Sequence, residues 1–190
     1  MSGGYIDEAR AWRDWVLRTV AGTPSQLNIM YGLGGERRLS ELELEWLPGY
    51  EGALPVRIGN AAYRQFQLDV YGEMMDVLYV ADQLGLTPDP DAWRVQRALL
   101  DFLESAWRQP DEGIWEVRGP KRHFTHSKVM AWVAVDRVIK GVEHGGVDGP
   151  ASAGVSSVTP SMQKSANEAL MPSTTRSCST TMSTRSMPVS

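Results

Sequence analysis

Every aromatic residue of this 190-residue chain, seven Trp, six Tyr and three Phe, lies before Pro150. Aromatic side chains bring the largest apolar areas into a core, so any core must be built from residues 1–150. Residues 151–190 hold 11 Ser, 6 Thr, one acid (Glu168), three bases (Lys164, Arg176, Arg185) and the single Cys, Cys178. So polar a stretch has little to bury and cannot offset the entropy of ordering its backbone. The chain therefore reads as a body, 1–150, and a disordered Ser/Thr-rich tail, 151–190. The body carries 22 acids against 16 bases, and the whole chain has a net charge of −4. An acidic balance argues against nucleic acid as a partner. No apolar run approaches the roughly 18 residues that a bilayer span needs, so no membrane partner is expected. The charged opening around Asp7–Arg13 is unlike a cleaved secretory signal, and a cytoplasmic location is expected. One Cys excludes a disulfide framework and a multi-Cys zinc site.

The body's periodicity is helical. Ile6, Ala9, Trp12, Val16 and Val20 recur every three or four residues and predict a helix over 5–21, stopped by Gly22-Thr23-Pro24. Residues 61–85 read as a long helix with Asn60 as its cap and Gly85 as its stop. Residues 89–108 read as a third, with Pro90 in the first turn and Trp93, Leu99, Leu100, Leu103 and Trp107 on its apolar side. Residues 124–143 read as a fourth, with Val129, Trp132, Val133 and Ile139 on one face. Glycines and prolines break residues 26–60. Short strands are expected there around Asn28–Tyr31 and Leu54–Ile58, and Trp46, Tyr50 and Val56 predict that this long loop is packed. Such loops are where functional sites are built.

Three segments could carry chemistry. In Asp111–Gly119, Glu116 stands beside Trp115 and two residues before Arg118. An indole that excludes water favours the protonated carboxyl of a general acid, whereas a guanidinium favours the carboxylate; the sequence leaves both open, along with a plain solvated acid. In Gly49–Asn60, Arg57 and Asn60 are candidate donors to sugar hydroxyls, or Arg57 pairs a carboxylate within a glycine-rich turn. In Gln65–Glu73, the residues Gln65, Asp69, Glu73 and Asp76 fall on one helical stripe, ordinarily a solvated face. Gly72 inside that helix costs about 1 kcal/mol relative to Ala, which points to a neighbouring helix or ligand packed against it. His123 and His126 lie three apart, but zinc needs at least a third protein ligand, so no metal is expected. No phosphate loop and no nucleophile elbow is present, and no cofactor is expected.

Taken in order, EARAWRDW (8–15), IMYGLGGERRLSELELEWLPGYEGALPVRIGN (29–60), QFQLDVYGEMMD (65–76) and DEGIWEVRGPKRHFTHSKVMAWVAVDR (111–137) resemble the catalytic domain of glycoside hydrolase family 15. That family includes glucoamylases, glucodextranases and bacterial trehalases, and the similarity covers residues 3–147, closest to actinobacterial trehalase-like members. The resemblance implies an all-α fold, a partial (α/α)6 barrel of about four helices out of twelve. It implies an inverting mechanism with two carboxyl groups, in which Glu116 is the general acid. Trp115, Arg57, Asn60, Gln67, Asp69, His123, His126 and Lys128 match positions at or near the sugar pocket. The implied partner is a small α-glucoside such as trehalose or a malto-oligosaccharide.

The family's earlier Arg-Asp motif and its later general-base Glu have no counterpart here, so the chain is expected to be an internal fragment with negligible activity of its own. The tail is expected to be out of frame. With suitable codons, Ser177–Ser190 read in a shifted frame gives FVQYYDEHEVDASL, and the Met171-Pro172 and Met187-Pro188 pairs each give a forced Ala. A partial barrel leaves apolar helix faces exposed, so self-association is expected. The competing reading is a non-catalytic helical remnant or interaction module.

Overall fold

The computed structural model describes residues 4–20, 22–86, 90–145 and 164; apart from Lys164, the expected tail lies outside the described residues. Four helices carry the body: α1 (Ile6–Val20), α2 (Asp69–Gln83), α3 (Pro90–Ala106) and α4 (Thr125–Gly145). This is the all-α architecture expected of part of an (α/α)6 barrel. Between α1 and α2 the chain makes short 3-10 turns at Pro24–Gln26, Tyr50–Gly52 and Ala61–Arg64, and a two-stranded antiparallel strap. In the strap, β1 (Leu42–Glu43) pairs with β2 (Arg57–Ile58), Leu42 opposite Ile58 and Glu43 opposite Arg57. Among the described residues no helix is long and apolar enough to cross a membrane.

The core lies where α2, α3 and α4 meet. Leu68, Tyr71, Met75, Leu100, Leu103, Ala131, Ala134, Val135 and Val138 are buried together. The α2–α4 approach is close because Gly72 faces the Met130 carbonyl, and a Cβ there would lie 2.2 Å from that oxygen. The partner anticipated for Gly72 is thus helix α4. The buried face of α4 is its small-residue face, Ala131, Ala134, Val135 and Val138, rather than Val129, Trp132, Val133 and Ile139, which are only partly buried. Arg137 of α4 pairs with Asp76 of α2 and with its neighbour Asp136. The Tyr71 hydroxyl donates to the Pro24 carbonyl (2.9 Å) and ties α2 to the first loop.

Several sequence expectations change. The expected 61–85 helix is two elements. Asn60 caps the Ala61–Arg64 turn, its Oδ1 accepting from Ala62 N–H, and α2 begins only at Asp69. No strand forms at Asn28–Tyr31, where Asn28 Nδ2 instead donates to the Arg37 carbonyl (2.9 Å). The long loop is less packed than its aromatics suggested: Trp46 is 77% and Tyr50 86% exposed. The polar stripe is a solvated face only in part, at Glu73, which is exposed. Gln65 lies off the helix, Asp69 is buried and Asp76 holds Arg137.

Candidate active site

Two stretches far apart in sequence lie side by side, Asn60–Asp69 and Asp111–Arg118. Asn60 Nδ2 donates to Glu116 Oε2 (3.1 Å), and Gln65 Nε2 to the Val117 carbonyl (3.3 Å). Phe66 N–H donates to Glu112 Oε2 (2.9 Å), and Glu112 N–H returns to the Phe66 carbonyl (3.1 Å). Leu68 N–H donates to Asp111 Oδ2 (3.0 Å). Gln65 is extended, and the Phe66 and Leu68 N–H groups are taken by Glu112 and Asp111, so α2 starts only after Leu68. Gln67 is buried beneath them and donates to Gln65 Oε1 (2.9 Å).

Asn60 is placed by Gly59. Gly59 has φ +71, and a Cβ there would lie 2.1 Å from the Ser40 carbonyl oxygen, so the backbone passes that oxygen at a distance only glycine allows. Asn60 N–H then donates to the Leu39 carbonyl (3.0 Å). Glu116 closes a tight turn, its N–H donating to the Gly113 carbonyl (3.1 Å). Its φ of 50° is left-handed, shared among described non-glycine residues only with Glu51. Such a backbone costs about 1 kcal/mol or more in an L-residue, a cost that concentrates at functional sites. Trp115 sits at the tip of this turn and is 84% exposed, so it does not shield Glu116 from water.

The charges near Glu116 are paired among themselves. Arg118 Nη2 donates to Glu41 Oε2 (2.9 Å) and lies 3.4 Å from Asn60 Oδ1. Glu41 also accepts from Ala61 N–H (3.3 Å), and the Arg118 hydrogen bond, ahead of every other influence, holds its carboxyl below the usual range. Arg57 pairs across the strap with Glu43 (2.7 Å), which raises the guanidinium further, and lies 3.8 Å from Glu41. The carboxylate-pairing alternative for Arg57 is therefore the contact seen.

Below this lies a buried polar floor. Asp69, at the start of α2, is 4% exposed, and its Oδ2 lies 3.8 Å from His126 Nδ1. Burial raises its carboxyl above the ordinary 3.8, helped by Asp111 and opposed by its own backbone N–H and by His126. Asp69 Oδ1, Asp111 Oδ1 and Ser127 Oγ are buried without a hydrogen-bond partner. Lys128 Nζ donates to the Trp107 and Gln109 carbonyls (2.7 and 2.6 Å), satisfying the end of α3, and burial lowers its ammonium. His123 is exposed three residues before His126. Beside Gln65 an open cavity of about 500 Å³ is lined by Arg38, Tyr63, Arg64 and Phe66 among others. Among the described residues no three His, Cys, Asp or Glu side chains gather as a metal site.

The structure thus joins Asn60 to Glu116 and Asp69 to His126, and sets Arg57 and Lys128 on other partners. Sequence reading missed Glu41 and Asp111. The alternation Glu41-Leu42-Glu43-Leu44-Glu45 was a strand signal and would have drawn attention to Glu41. Asp111 acts on Leu68, 43 residues away, and no local pattern marks it.

Known proteins resemble this chain over much of its length. The chain is 48% identical over 120 residues to the trehalase of Mycobacterium tuberculosis, covering 63% of this chain and 18% of that protein. It is 49% identical over 117 residues to the trehalase of Mycolicibacterium smegmatis, 61% of this chain and 17% of that protein. It is 38% identical over 143 residues to trehalase 1 of Sulfolobus acidocaldarius, 72% of this chain and 25% of that protein. The matched stretches thus span no more than a quarter of these curated relatives. No solved structure gives a significant match. The family model of glycosyl hydrolases family 15 matches residues 1–186, nearly the full length, and the chain belongs to that family.

Proposed function

We propose that this chain carries the general-acid half of an inverting α-glucoside hydrolase site of trehalase or glucoamylase type, with Glu116 as the acid. Inversion needs two carboxyl groups flanking the glycosidic bond, one to protonate the leaving oxygen and one to activate water. The observation that carries the reading is the Asn60–Glu116 bond. A neutral amide, fixed by its own cap, donates to Oε2 of a carboxyl on a left-handed turn, leaving Oε1 as the oxygen that bears the transferable proton. Trp115 on the same turn offers an exposed ring face to a sugar. Arg57, Gln67, Asp69, His123, His126 and Lys128 serve as substrate-side or supporting positions around it. Trehalose is the preferred substrate because the matched relatives are trehalases.

No segment of this chain is proposed to supply the second carboxylate, so the chain alone is expected to show no turnover. Glucose release from trehalose and maltose tests this. The assay compares the 190-residue chain with a chimaera carrying its matched residues in place of the corresponding stretch of the M. tuberculosis trehalase. The chimaera should turn over, and Glu116→Gln in it should lower turnover by about 10²–10⁴-fold. A chimaera indifferent to Glu116→Gln sinks the assignment. The out-of-frame tail is tested separately by the DNA: a shifted frame that fails to read on into a general-base segment ends that idea. A non-catalytic module is the second reading, favoured by the exposure of Leu33, Trp46, Tyr50 and Leu54.

A further inference from the structure

Glu116 stands two residues from a guanidinium and yet does not bind it. Arg118 Nη2 donates instead to Glu41 Oε2 (2.9 Å), although Asn60, which holds Glu116, is only 3.4 Å from the same nitrogen. Glu41 comes from the far side of the site, just before β1, 77 residues from Arg118. Its carboxylate is 22% exposed and is fixed also by Ala61 N–H (3.3 Å). The other charges around Glu116 are likewise matched: Arg57 to Glu43 (2.7 Å) on the strap, and Lys121 to Glu112 (3.8 Å) on the acid's own loop. The donor that reaches Glu116 is the uncharged amide of Asn60.

A guanidinium released from its partner would turn to the next carboxyl in reach and favour its ionised form. A general acid must hold its proton until the leaving oxygen takes it. We propose that Glu41 is a positioning residue of this site: it holds Arg118 away from Glu116, so that the donor meeting Glu116 is a neutral amide and not a cation. This rests on Glu116 being the general acid, and adds a residue that touches neither sugar nor acid. Ala61 N–H and Arg118 meet the same Oε2 of Glu41, so Glu41→Gln keeps an acceptor there and withdraws the negative charge that makes the hold on the guanidinium strong.

The test reads protonation directly in the full 190-residue chain. Carboxyl ¹³C resonances of labelled Glu are followed against pH, with Glu116→Gln giving the assignment. At the pH where wild-type Glu116 is half protonated, Glu41→Gln should lower its protonated-to-ionised ratio by about threefold or more, a value discounted for partial exposure. Adding Arg118→Leu to Glu41→Gln should restore the wild-type ratio. An unchanged ratio in Glu41→Gln overturns the proposal, and so does a change that persists in the double variant, because Glu41 would then act through the fold. Should Glu41→Gln not fold, Arg118→Leu alone decides. The ratio should hold or rise there, since that cation is already matched, and a threefold fall overturns the proposal. These readouts do not depend on turnover, so loss of the acid assignment in the chimaera would strike the functional reading and not the Glu41–Arg118 hold.

Discussion

Asn60 serves two partners with the two ends of one amide. Oδ1 accepts from Ala62 N–H (2.9 Å) as the cap, and Nδ2 donates to Glu116 (3.1 Å). The cap decides which end faces the acid before any sugar arrives. Asn60→Asp keeps an acceptor for Ala62 and removes the donor to Glu116, whereas Asn60→Ala removes both. Losing an N-cap costs about 1 kcal/mol, and losing a hydrogen bond between neutral groups about 0.5–1.5 kcal/mol, a factor of roughly 2–10 in rate. Asn60→Asp should therefore melt close to wild type while glucose release by the chimaera falls about 2–10-fold; undiminished release would remove Asn60 from the site. Asp69 offers a test by pH. Burial, chiefly, raises its carboxyl in the fold above the ordinary 3.8. The folded state then binds that proton more tightly than the unfolded chain. The resulting stability is present in full below 3.8 and is lost as pH rises through the folded value. Asp69→Asn should melt no lower than wild type near pH 7 and lose that relative advantage near pH 4. The opposite trend would show that the His126 contact outweighs burial.

Between α2 and α4 the sign of a glycine substitution is set by packing. An exposed helical Gly→Ala ordinarily stabilises by up to about 1 kcal/mol. At Gly72 the new Cβ would meet the Met130 carbonyl at 2.2 Å, backbone that cannot swing aside. Overpacking costs about 1–3 kcal/mol and exceeds the propensity gain, so Gly72→Ala should lower the Tm by about 4 °C or more in a circular dichroism melt; a raised Tm would mean the helices separate freely. The same contact shows what sequence could reveal. Three helices were legible within a residue or two because a 3.6-residue period marks α1, α3 and α4. The buried face of α4 was not, because close approach at Gly72 selects Ala131 and Ala134 over the larger Trp132 and Val133 that look like core. The start of α2 was displaced for a different reason. Asn60 is a true cap, but Phe66 and Leu68 bond to Glu112 and Asp111, 46 and 43 residues away, and that competition leaves no local mark. Arg57 and Asn60 were legible as candidate donors; what each donates to was not, because Glu43 and Glu116 reach them across the fold.

At the scale of the molecule, the described body pairs its helices around one core and yet leaves many large apolar side chains in water. Leu33, Leu42, Trp46, Tyr50, Leu54 and Ile58 of the long loop are exposed, as are Ile114 and Trp115 beside Glu116. Contiguous apolar patches beyond a few hundred Å² are rare on soluble monomers and mark interfaces or aggregation sites. Family 15 hydrolases are (α/α)6 barrels, and the matched stretch is 17–25% of its trehalase relatives. For the chain by itself the consequence is association. Gel filtration at increasing concentration should show elution earlier than a 21.0 kDa monomer. Serine at Trp46, Tyr50 and Leu54 together should shift it back toward monomer, because each side chain withdrawn from water in an interface contributes about 1.5–3 kcal/mol. These positions are exposed and lie outside the α2–α4 core, so the triple variant should keep the wild-type melt. A wild-type chain that elutes as a monomer at every concentration and melts cooperatively would overturn the association and favour an independent helical module. An oligomer that survives the triple substitution would place the interface elsewhere, on helix α1, where Trp12 is also exposed.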